Sequence, residues 1–303
     1  MNKPLISIGM PIYNAGMFLR LALKSILLQT FKDWELIVLD DGSTDDAIKR
    51  NIGLLKDPRI SLIQDGKNFG LANRLNQAIS LARGDYFARM DQDDISYPKR
   101  LTSQILALEK QPDWDLLGTR FLTINENEIP IGMSPLITEH HEIVSAPWRG
   151  LYLAHPTWMG KKSWFAKNLY AQPGPYFCED QELLLRTHQN SVFANLPDIL
   201  FAYRLREGIN WRKSSKIRAT LLRIRSEFFV RNKNYNALMK SYTQYGIGYL
   251  YDSLSQISIF QNYLWQLNVR IGEVPEIEHQ RLREIFDLMT HMEESVRYLE
   301  NYG

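Results

Sequence analysis

The sequence predicts an α/β fold, a parallel sheet covered by helices on both faces, followed by a helical region. Over the first hundred residues, short β-rich runs alternate with helical periodicity, which is typical of such a sheet. Beyond Ile209, apolar residues recur at helical spacing only. The chain has 303 residues, 45% of them hydrophobic, and can bury a sizeable core. We therefore expect an α/β domain at 1–208 and a helical region at 209–303.

The elements of the first domain follow from the spacing of apolar residues. Short apolar runs rich in β-branched residues predict strands, and apolar residues three and four positions apart predict helices. The predicted strands are Leu5–Gly9, Glu35–Leu39, Ile60–Ile63, Tyr86–Met90, Leu116–Ile124 and Ile199–Tyr203. The predicted helices are Leu19–Ile26, Leu71–Leu81 and Glu179–His188.

Two apolar stripes and a separation of charge mark the helical region. The stripes are Ile217, Leu221, Ile224 and Phe228, and then Ile285, Leu288, Met289, Met292, Val296 and Leu299. Arg204–Lys240 holds eleven basic and two acidic residues, whereas Glu273–Gly303 holds three basic and eight acidic ones. Three interpretations stay open for this region: packing on its own domain, docking on an anionic membrane, and binding of a partner or a second copy.

Composition excludes several classes of protein. The 36 Lys and Arg residues nearly balance the 34 Asp and Glu residues, which argues against a dedicated nucleic-acid binder. The single cysteine, Cys178, excludes an internal disulfide and is typical of a reducing compartment. The short apolar run before Pro11 predicts a strand rather than a signal peptide. Ser253–Val269 is uncharged but rich in Ser, Gln and Asn, so we expect no membrane span and a cytoplasmic location.

Acidic clusters follow two of the predicted strands. Asp40 and Asp41 come after the second strand, and Asp91, Asp93 and Asp94 come after Tyr86–Met90. In open α/β sheets, ligands bind beyond the carboxyl ends of the strands. Carboxylates there suit Mg²⁺ or Mn²⁺ shared with the diphosphate of a substrate. The acidic motif alone leaves open that these residues are only solvated turn formers.

Six segments in order carry a resemblance to a known family. They are Pro11-x-Tyr13-Asn14, Asp40-Asp41-Gly42-Ser43-x-Asp45, Asn68-x-Gly70-x-x-x-Arg74-x-x-Asn76-x-x-Ile79, Asp91-x-Asp93-Asp94, His155-Pro156-Thr157 and Glu179-Asp180-x-Glu182-Leu183-x-x-Arg186. Their order and spacing over Leu5–Arg206 resemble those of the family 2 inverting glycosyltransferases with a GT-A fold. The resemblance implies a Rossmann-like mixed sheet that binds a nucleotide-diphosphate sugar.

The resemblance also implies roles on the donor side. The residues that it assigns to the nucleobase and ribose are Pro11, Tyr13, Asn14 and Asp41. It assigns Asp93 to the metal, Asp91 to the metal or ribose, and Arg74 and Arg204 to the diphosphate or sugar. A carboxylate at Asp41 that faces the N3–H of uracil would favour a UDP-linked donor. The alternative for Asp41 is a structural role at the start of the next helix.

On the acceptor side, inverting transfer needs a base, because the acceptor hydroxyl loses a proton as it attacks. By the resemblance, Asp180 is this base, and its neighbour Glu179 is the second candidate. Both acids could instead only favour the helix N-terminus through its dipole. His155 is assigned to the acceptor side, with a packed loop residue as the alternative.

The sequence therefore predicts a hexosyl- or N-acetylhexosaminyltransferase that uses Mn²⁺ or Mg²⁺ and a UDP-linked donor. The acceptor implied by the resemblance is a surface glycan such as lipopolysaccharide core, capsule or O-antigen, reached at the cytoplasmic face of the inner membrane. The chain lacks the Gln-x-x-Arg-Trp form of the processive synthases. Two alternatives remain at this point: a nucleotidyltransferase, although no Gly-rich, Lys-containing phosphate loop follows the first strand, and a non-catalytic protein that binds a nucleotide sugar or an anionic surface.

Overall fold

The computed structural model describes residues 3–205, 211–254, 256 and 273–302, with backbone only for 293–302. Nine strands form one sheet: β1 Ile6–Ile12, β2 Trp34–Asp40, β3 Ile60–Gln64, β4 Tyr86–Arg89, β5 Ile95–Ser96, β6 Leu116–Ile124, β7 Pro130–Met133, β8 Met159–Lys161 and β9 Phe193–Arg204. The described helices are α1 Leu19–Leu27, α2 Ala47–Arg50, α3 Ile52–Leu55, α4 Leu71–Leu81, α5 Arg100–Lys110, α6 His140–Ile143, α7 Lys162–Lys167, α8 Glu179–Thr187, α9 Trp211–Arg231, α10 Tyr235–Leu254 and α11 Glu276–Tyr302. A short 3₁₀ helix covers His155–Thr157.

The first half of the sheet is parallel, as the alternation of strands and helices predicted. β1 pairs in parallel with β2 and β4, and β2 pairs in parallel with β3. α4 begins and ends at the residues predicted for this helix, Leu71 and Leu81. β1 and β2 each run to seven residues, longer than predicted, and every residue of both strands is buried.

The second half makes the sheet mixed. β8 joins β4 and β6 in antiparallel pairing, and β9 lies parallel to β6. The predicted strand Ile199–Tyr203 is the second half of β9, which begins at Phe193. The pairing of β9 with β6 passes over Pro197 and Asp198. Both residues are poor strand formers, and for this reason the sequence did not predict the first half of β9.

Apolar residues on the two faces of the sheet form separate cores, which is the packing expected when helices cover both faces. On one face, Ile8 and Leu36 pack with α1 and α5, and on the other Phe87 packs with α4, α7 and α8. α4 lies very close to β1: a Cβ at Gly9 would come within 2.6 Å of the Phe87 ring and 2.9 Å of the Ala78 methyl group. Glycine at this position therefore allows α4 to pack directly against the sheet.

The last described segments are helical, as predicted. α9 and α10 pack against each other, and a 2.9 Å ion pair joins Arg218 of α9 to Asp252 near the end of α10. Phe229 is buried in the core of the second face, and Ile285 of α11 is buried against β5, β6 and β9. Within the second predicted stripe, Leu288 is 50% exposed, whereas Ile285 and Met289 are buried.

Some predictions fall outside the described residues. They are the domain boundary at 208/209, Arg206, the side chains of Val296 and Leu299, and most of Ser253–Val269. Among the residues that are described, we find no helix with the length and apolar character needed to span a bilayer.

Candidate active site

A cleft of about 550 Å³ lies beyond the carboxyl ends of β1, β2 and β4. Nine of the eleven residues that the sequence nominated line it: Pro11, Tyr13, Asp41, Asp91, Asp93, His155, Glu179, Asp180 and Arg204. The two nominated residues that do not line it are Asn14 and Arg74. The strand ends bring the first acids together, and the start of α8 brings Glu179 and Asp180 to the same opening. Asp93 and Asp180 thus share one cleft although they are distant in the chain.

The loop after β1 is held in place by side-chain bonds to its backbone. Gln92 accepts a hydrogen bond from the Tyr13 N–H (2.6 Å) and donates one to the Tyr13 carbonyl (3.1 Å). The side-chain oxygen of Asn14 accepts hydrogen bonds from the backbone N–H groups of Thr44 and Asp45. Asn14 therefore joins the loops after β1 and β2, while the Tyr13 ring stays 48% exposed at the cleft.

Asp41 is fixed by the start of α4. Its carboxylate accepts the backbone N–H groups of Phe69 (2.7 Å) and Gly70 (3.0 Å) and the Nε–H of Arg74 (2.9 Å). Only one of these bonds reaches Oδ2 at 3.0 Å, so that oxygen keeps acceptor capacity toward the cleft. The alternative of a cap on the next helix, α2, is not what the structure shows, since Asp41 contacts the start of α4.

The nomination of Arg74 for direct contact with the donor is not supported by its position. Its side chain has no exposed surface and pairs with Asp41 and, at 2.7 Å, with Asp65. The hydrogen bond from Arg74 lowers the pKa of Asp65 to about 2. Arg74 is therefore a positioning residue that holds Asp41 and the 65–70 loop.

The three acids after β4 have different surroundings. Asp91 pairs with Arg89 at 2.6 Å, and Asp93 lines the cleft. Asp94 is buried and accepts the backbone N–H of Arg204 at 2.8 Å, and burial raises its pKa well above the usual range. Asp94 thus joins the acidic loop to the end of β9.

The donor set suits a metal ion that is shared with a substrate. Two carboxylates, Asp91 and Asp93, face one cleft, and hard cations accept one or two carboxylates together with phosphate oxygens and water. Within the described part of the chain, no group of three or more His, Cys, Asp or Glu side chains could hold a metal ion. The residues present therefore fit an ion that a bound diphosphate completes.

Arg204 presents a fixed positive charge. Its Nε–H donates to the carbonyl of Asp93 (2.8 Å) and its Nη1–H to the carbonyl of Asn125 (3.1 Å), and the guanidinium lies 4.3 Å above the Phe18 ring. These contacts hold the cation beside the acidic loop, and its Nη2 lies 3.8 Å from the Glu128 carboxylate, which balances part of its charge. Such a charge would stabilise an anionic group in the cleft.

Glu179 and Asp180 open α8 and face the cleft from the opposite side. Burial, and next the neighbouring Asp180, raise the pKa of Glu179 to about 7. Burial also raises the pKa of Asp180. The adjacent thiol of Cys178 is buried, and its pKa rises to about 12, so it is not a thiolate nucleophile.

His155, on the 3₁₀ helix, lies beside Glu179. Its Nε2 lies 2.7 Å from the Tyr170 hydroxyl, and its Nδ1 lies 3.7 Å from the Glu179 carboxylate. Burial, with a smaller effect from Arg89, holds its pKa well below the usual range, so the ring is neutral. His155 is both a packed residue and a cleft residue, and the two interpretations of the sequence are compatible.

Sequence reasoning missed four notable cleft residues: Arg89, Gln92, Phe177 and Lys213. The side chain of Arg89 is 3% exposed, and its Nε and Nη1 have no hydrogen-bond partner among the described residues. A cation at the buried end of a strand, directly before the acidic motif, is the signal that could have revealed it. Lys213 comes from α9, and its Nζ lies 4.0 Å above the Phe177 ring. Nothing in the local sequence links it to the cleft.

Comparison with known proteins gives a family and a set of relatives. The family model described as "Glycosyl transferase family 2" matches residues 7–169. Putative glycosyltransferase EpsE of Bacillus subtilis is 42% identical over 41% of this chain and 46% of its own length. The uncharacterized glycosyltransferase MJ1057 of Methanocaldococcus jannaschii is 32% identical over 70% of this chain and 74% of its own length. Putative colanic acid biosynthesis glycosyl transferase WcaA of Escherichia coli is 42% identical over 41% of this chain and 43% of its own length. The chain thus spans about half the length of EpsE and WcaA.

Two solved structures show a similar fold. TarS 1–349 of S. aureus in complex with UDP-GlcNAc has a TM-score of 0.55 and 17% identity, and the match covers 83% of this chain and 91% of TarS 1–349. Mannosyltransferase PcManGT of Pyrobaculum calidifontis, in complex with GDP-Man and Mn²⁺, has a TM-score of 0.57 and 14% identity, with 87% and 84% covered. These likenesses, with the mixed sheet, confirm the predicted GT-A fold and its helical C-terminal region.

Proposed function

Because this chain belongs to glycosyl transferase family 2 and is a glycosyltransferase, we propose that it moves a sugar from a nucleotide-diphosphate donor to a hydroxyl group of a glycan, with inversion at the anomeric carbon. One observation carries the proposal: Asp93 and Asp180 line the same cleft. A single cleft can hold a donor diphosphate near Asp93 and an incoming hydroxyl near Asp180. Family membership favours this function over a nucleotidyltransferase and over a non-catalytic binding protein.

The donor side of the proposal rests on Pro11, Tyr13 and Asp41. The exposed Tyr13 ring offers a stacking surface for a nucleobase, and the remaining acceptor capacity of Asp41 Oδ2 suits the N3–H of uracil. TarS, a structural neighbour, is seen with UDP and with UDP-GlcNAc, whereas PcManGT is seen with GDP-Man. We therefore propose a UDP-linked hexose or N-acetylhexosamine as donor.

Asp93 and Asp91 would hold Mn²⁺ or Mg²⁺ together with the diphosphate. When bound, this ion supplies Lewis-acid stabilisation of the departing nucleoside diphosphate. Arg204 and Arg89 add fixed positive charge on the same side of the cleft. Arg89 also neutralises Asp91 in part, since their side chains pair at 2.6 Å.

The acceptor side supplies the base. Asp180 takes the proton of the acceptor hydroxyl as that oxygen forms its bond to the anomeric carbon, while the bond to the diphosphate breaks and its electron pair leaves with the nucleotide. This single displacement inverts the configuration and needs no covalent enzyme intermediate. We assign the base to Asp180, as the resemblance implies, and Glu179 stays the second candidate, because a pKa of about 7 also suits a general base at neutral pH.

The biological setting is also a proposal. WcaA is named for colanic acid biosynthesis, which supports an acceptor in a bacterial surface polysaccharide. We propose a division into a catalytic domain at 1–208 and a helical region at 209–303, with the helical region bringing the enzyme to the cytoplasmic face of the membrane. The oppositely charged α9 and α11 leave pairing between two copies open to test.

A nucleotide-release assay tests the function without a known acceptor. Incubation with UDP-glucose, UDP-galactose, UDP-GlcNAc or GDP-mannose and Mn²⁺ should release nucleotide slowly by hydrolysis, and EDTA should abolish the release. Asp180→Asn should lower release at least about 100-fold and keep the thermal stabilisation by UDP and Mn²⁺, because only the base is lost. Asp93→Ala should lose that stabilisation, and Asp113→Asn, an exposed acid outside the cleft, is the matched control. Full activity of Asp180→Asn would rule out the assigned base.

A further inference from the structure

A second cavity, of about 340 Å³, adjoins the donor cleft at Asp180. Asp180 is the one residue that lines both spaces among the described parts of the chain. The two spaces also approach each other at a pair of aromatic rings. Phe121 lines the second cavity, Tyr203 lines the donor cleft, and the centroids of the two rings lie 5.7 Å apart. A molecule in the second cavity could therefore present a hydroxyl to Asp180 without entering the donor cleft.

The walls of this cavity are largely apolar. They include two aromatic rings, a thioether and several aliphatic side chains, namely Phe121, Tyr152, Met133, Ile137, Leu151 and Leu153. Ligand sites are commonly apolar cavities of roughly 300–1,000 Å³ with a few polar groups that set orientation. The size and the lining therefore fit a small ligand with an apolar face.

Several polar side chains of the cavity are already bonded to backbone. Arg120 donates to the carbonyls of Ser134 and Pro197. Gln181 accepts from the Leu151 N–H at 3.0 Å, and Asn195 donates to the carbonyls of Ile137 and Tyr152. These bonds shape the walls, and Arg120 keeps its positive charge, because its hydrogen bonds go to backbone carbonyls.

We propose that this cavity binds the acceptor, and that the accepting sugar carries a methyl-bearing substituent, as a 6-deoxy or an N-acetyl sugar does. The inference rests on the proposed function, because it takes Asp180 as the base. The methyl group would lie against Met133 and its apolar neighbours while the reactive hydroxyl faces Asp180.

The experiment compares acceptors in the nucleotide-release assay. The probes are free L-fucose, L-rhamnose and N-acetylglucosamine and their parent hexoses, each added to the wild-type protein with its best donor. We expect at least one methyl-bearing sugar to stimulate release at about tenfold lower concentration than its parent hexose, since a methyl group in an apolar pocket is worth about that much.

Variants of Met133 test whether the methyl-bearing sugar binds in this cavity. Met133→Gln keeps the length of the side chain and makes it polar, and should raise the acceptor concentration for half-maximal stimulation about tenfold, whereas Met133→Leu should keep it near the wild-type value. Stimulation is compared with donor hydrolysis by the same variant, so that a folding defect is recognised. Met239→Gln makes the same substitution on the exposed surface of α10 and should behave as the wild type.

Two kinds of result would overturn the inference. One is stimulation by the parent hexoses at least as strong as by the methyl-bearing sugars, or no stimulation by any methyl-bearing sugar. The other is an unchanged acceptor response in Met133→Gln. In both cases intact donor hydrolysis would leave the proposed function standing, whereas absence of nucleotide release from every donor would count against the function itself.

Discussion

Neighbouring acids of the cleft differ in the charge that their surroundings favour. Asp91 faces a buried arginine, while Asp94, three positions on, is buried against a backbone N–H and favours its neutral form. Glu179 is buried beside a neutral histidine, so its proton is retained to a higher pH than usual. The spacing of acidic residues therefore does not by itself tell which of them ligates, which accepts a proton and which supports the fold.

The raised pKa of Glu179 predicts a pH dependence of stability. A carboxyl whose folded-state pKa is about 7, against an ordinary value of 4.5, favours the fold at low pH, and this contribution is lost as pH rises between those two values. Relative to wild type, Glu179→Gln should gain about 2 kcal/mol of unfolding free energy between about pH 5 and about pH 7.5. Urea unfolding at both pH values measures this. Parallel pH profiles for the two proteins would show that Glu179 titrates normally.

The helices after residue 210 are part of the site and of the core. α9 brings Lys213 to the donor cleft, and Phe229 near its end is buried in the core of one sheet face. α11 covers the edge formed by β5, β6 and β9 with Leu282, Ile285 and Met289. The helical region is therefore packed against the sheet at both of its described ends, which favours the structural interpretation of its apolar stripes.

The packing of α11 predicts unequal effects of two similar substitutions. Ile285 is 5% exposed and Leu288 is 50% exposed on the same helix. Ile285→Ala leaves a cavity and should lower the unfolding free energy by about 2 kcal/mol, whereas Leu288→Ala should change it by less than about 0.5 kcal/mol. Both changes have similar helix propensity effects, so urea unfolding isolates the contact. Equal effects of the two would mean that α11 does not dock as described.

At the scale of the whole molecule, charge and exposed apolar surface lie on the helical region. The net charge of the chain is only +2, yet Arg204–Lys240 is strongly basic. On α10, Tyr235, Met239, Tyr242 and Leu250 are each more than half exposed. A basic helix beside an exposed apolar helix face is typical of a protein that rests on an anionic bilayer.

This surface predicts binding to anionic vesicles. We expect flotation with vesicles that contain phosphatidylglycerol but not with neutral ones, and loss of binding at high salt. Arg231→Glu with Lys233→Glu reverses two exposed charges and should weaken binding at least about tenfold, at roughly 1 kcal/mol per charge. Lys56→Glu with Lys110→Glu, on the sheet domain, is the matched control. Equal flotation with neutral and anionic vesicles would refute membrane docking by charge.

Local patterns were sufficient for many of the elements and for most of the site. The helix at Leu71–Leu81 and the strand at Leu116–Ile124 have their predicted bounds, because apolar periodicity depends on which face is buried. The motif residues that follow β1, β2 and β4 reach one cleft, because the carboxyl ends of parallel strands lie at one edge of a sheet. Family membership likewise follows from residues in order along the chain.

What only the tertiary structure decided are the contacts between segments far apart in sequence. The insertion of β8 between β4 and β6, the full burial of Arg74 behind Asp41, and the arrival of Lys213 at the cleft are examples. Periodicity reports which face of an element is buried, but not which distant element covers it. A motif gives the position of a side chain along the chain, while its direction and its partners depend on packing. The sequence by itself thus determined many of the elements, the family and the acids that we propose for the chemistry, and the fold decided which of the charged residues line the cleft and which hold the others in place.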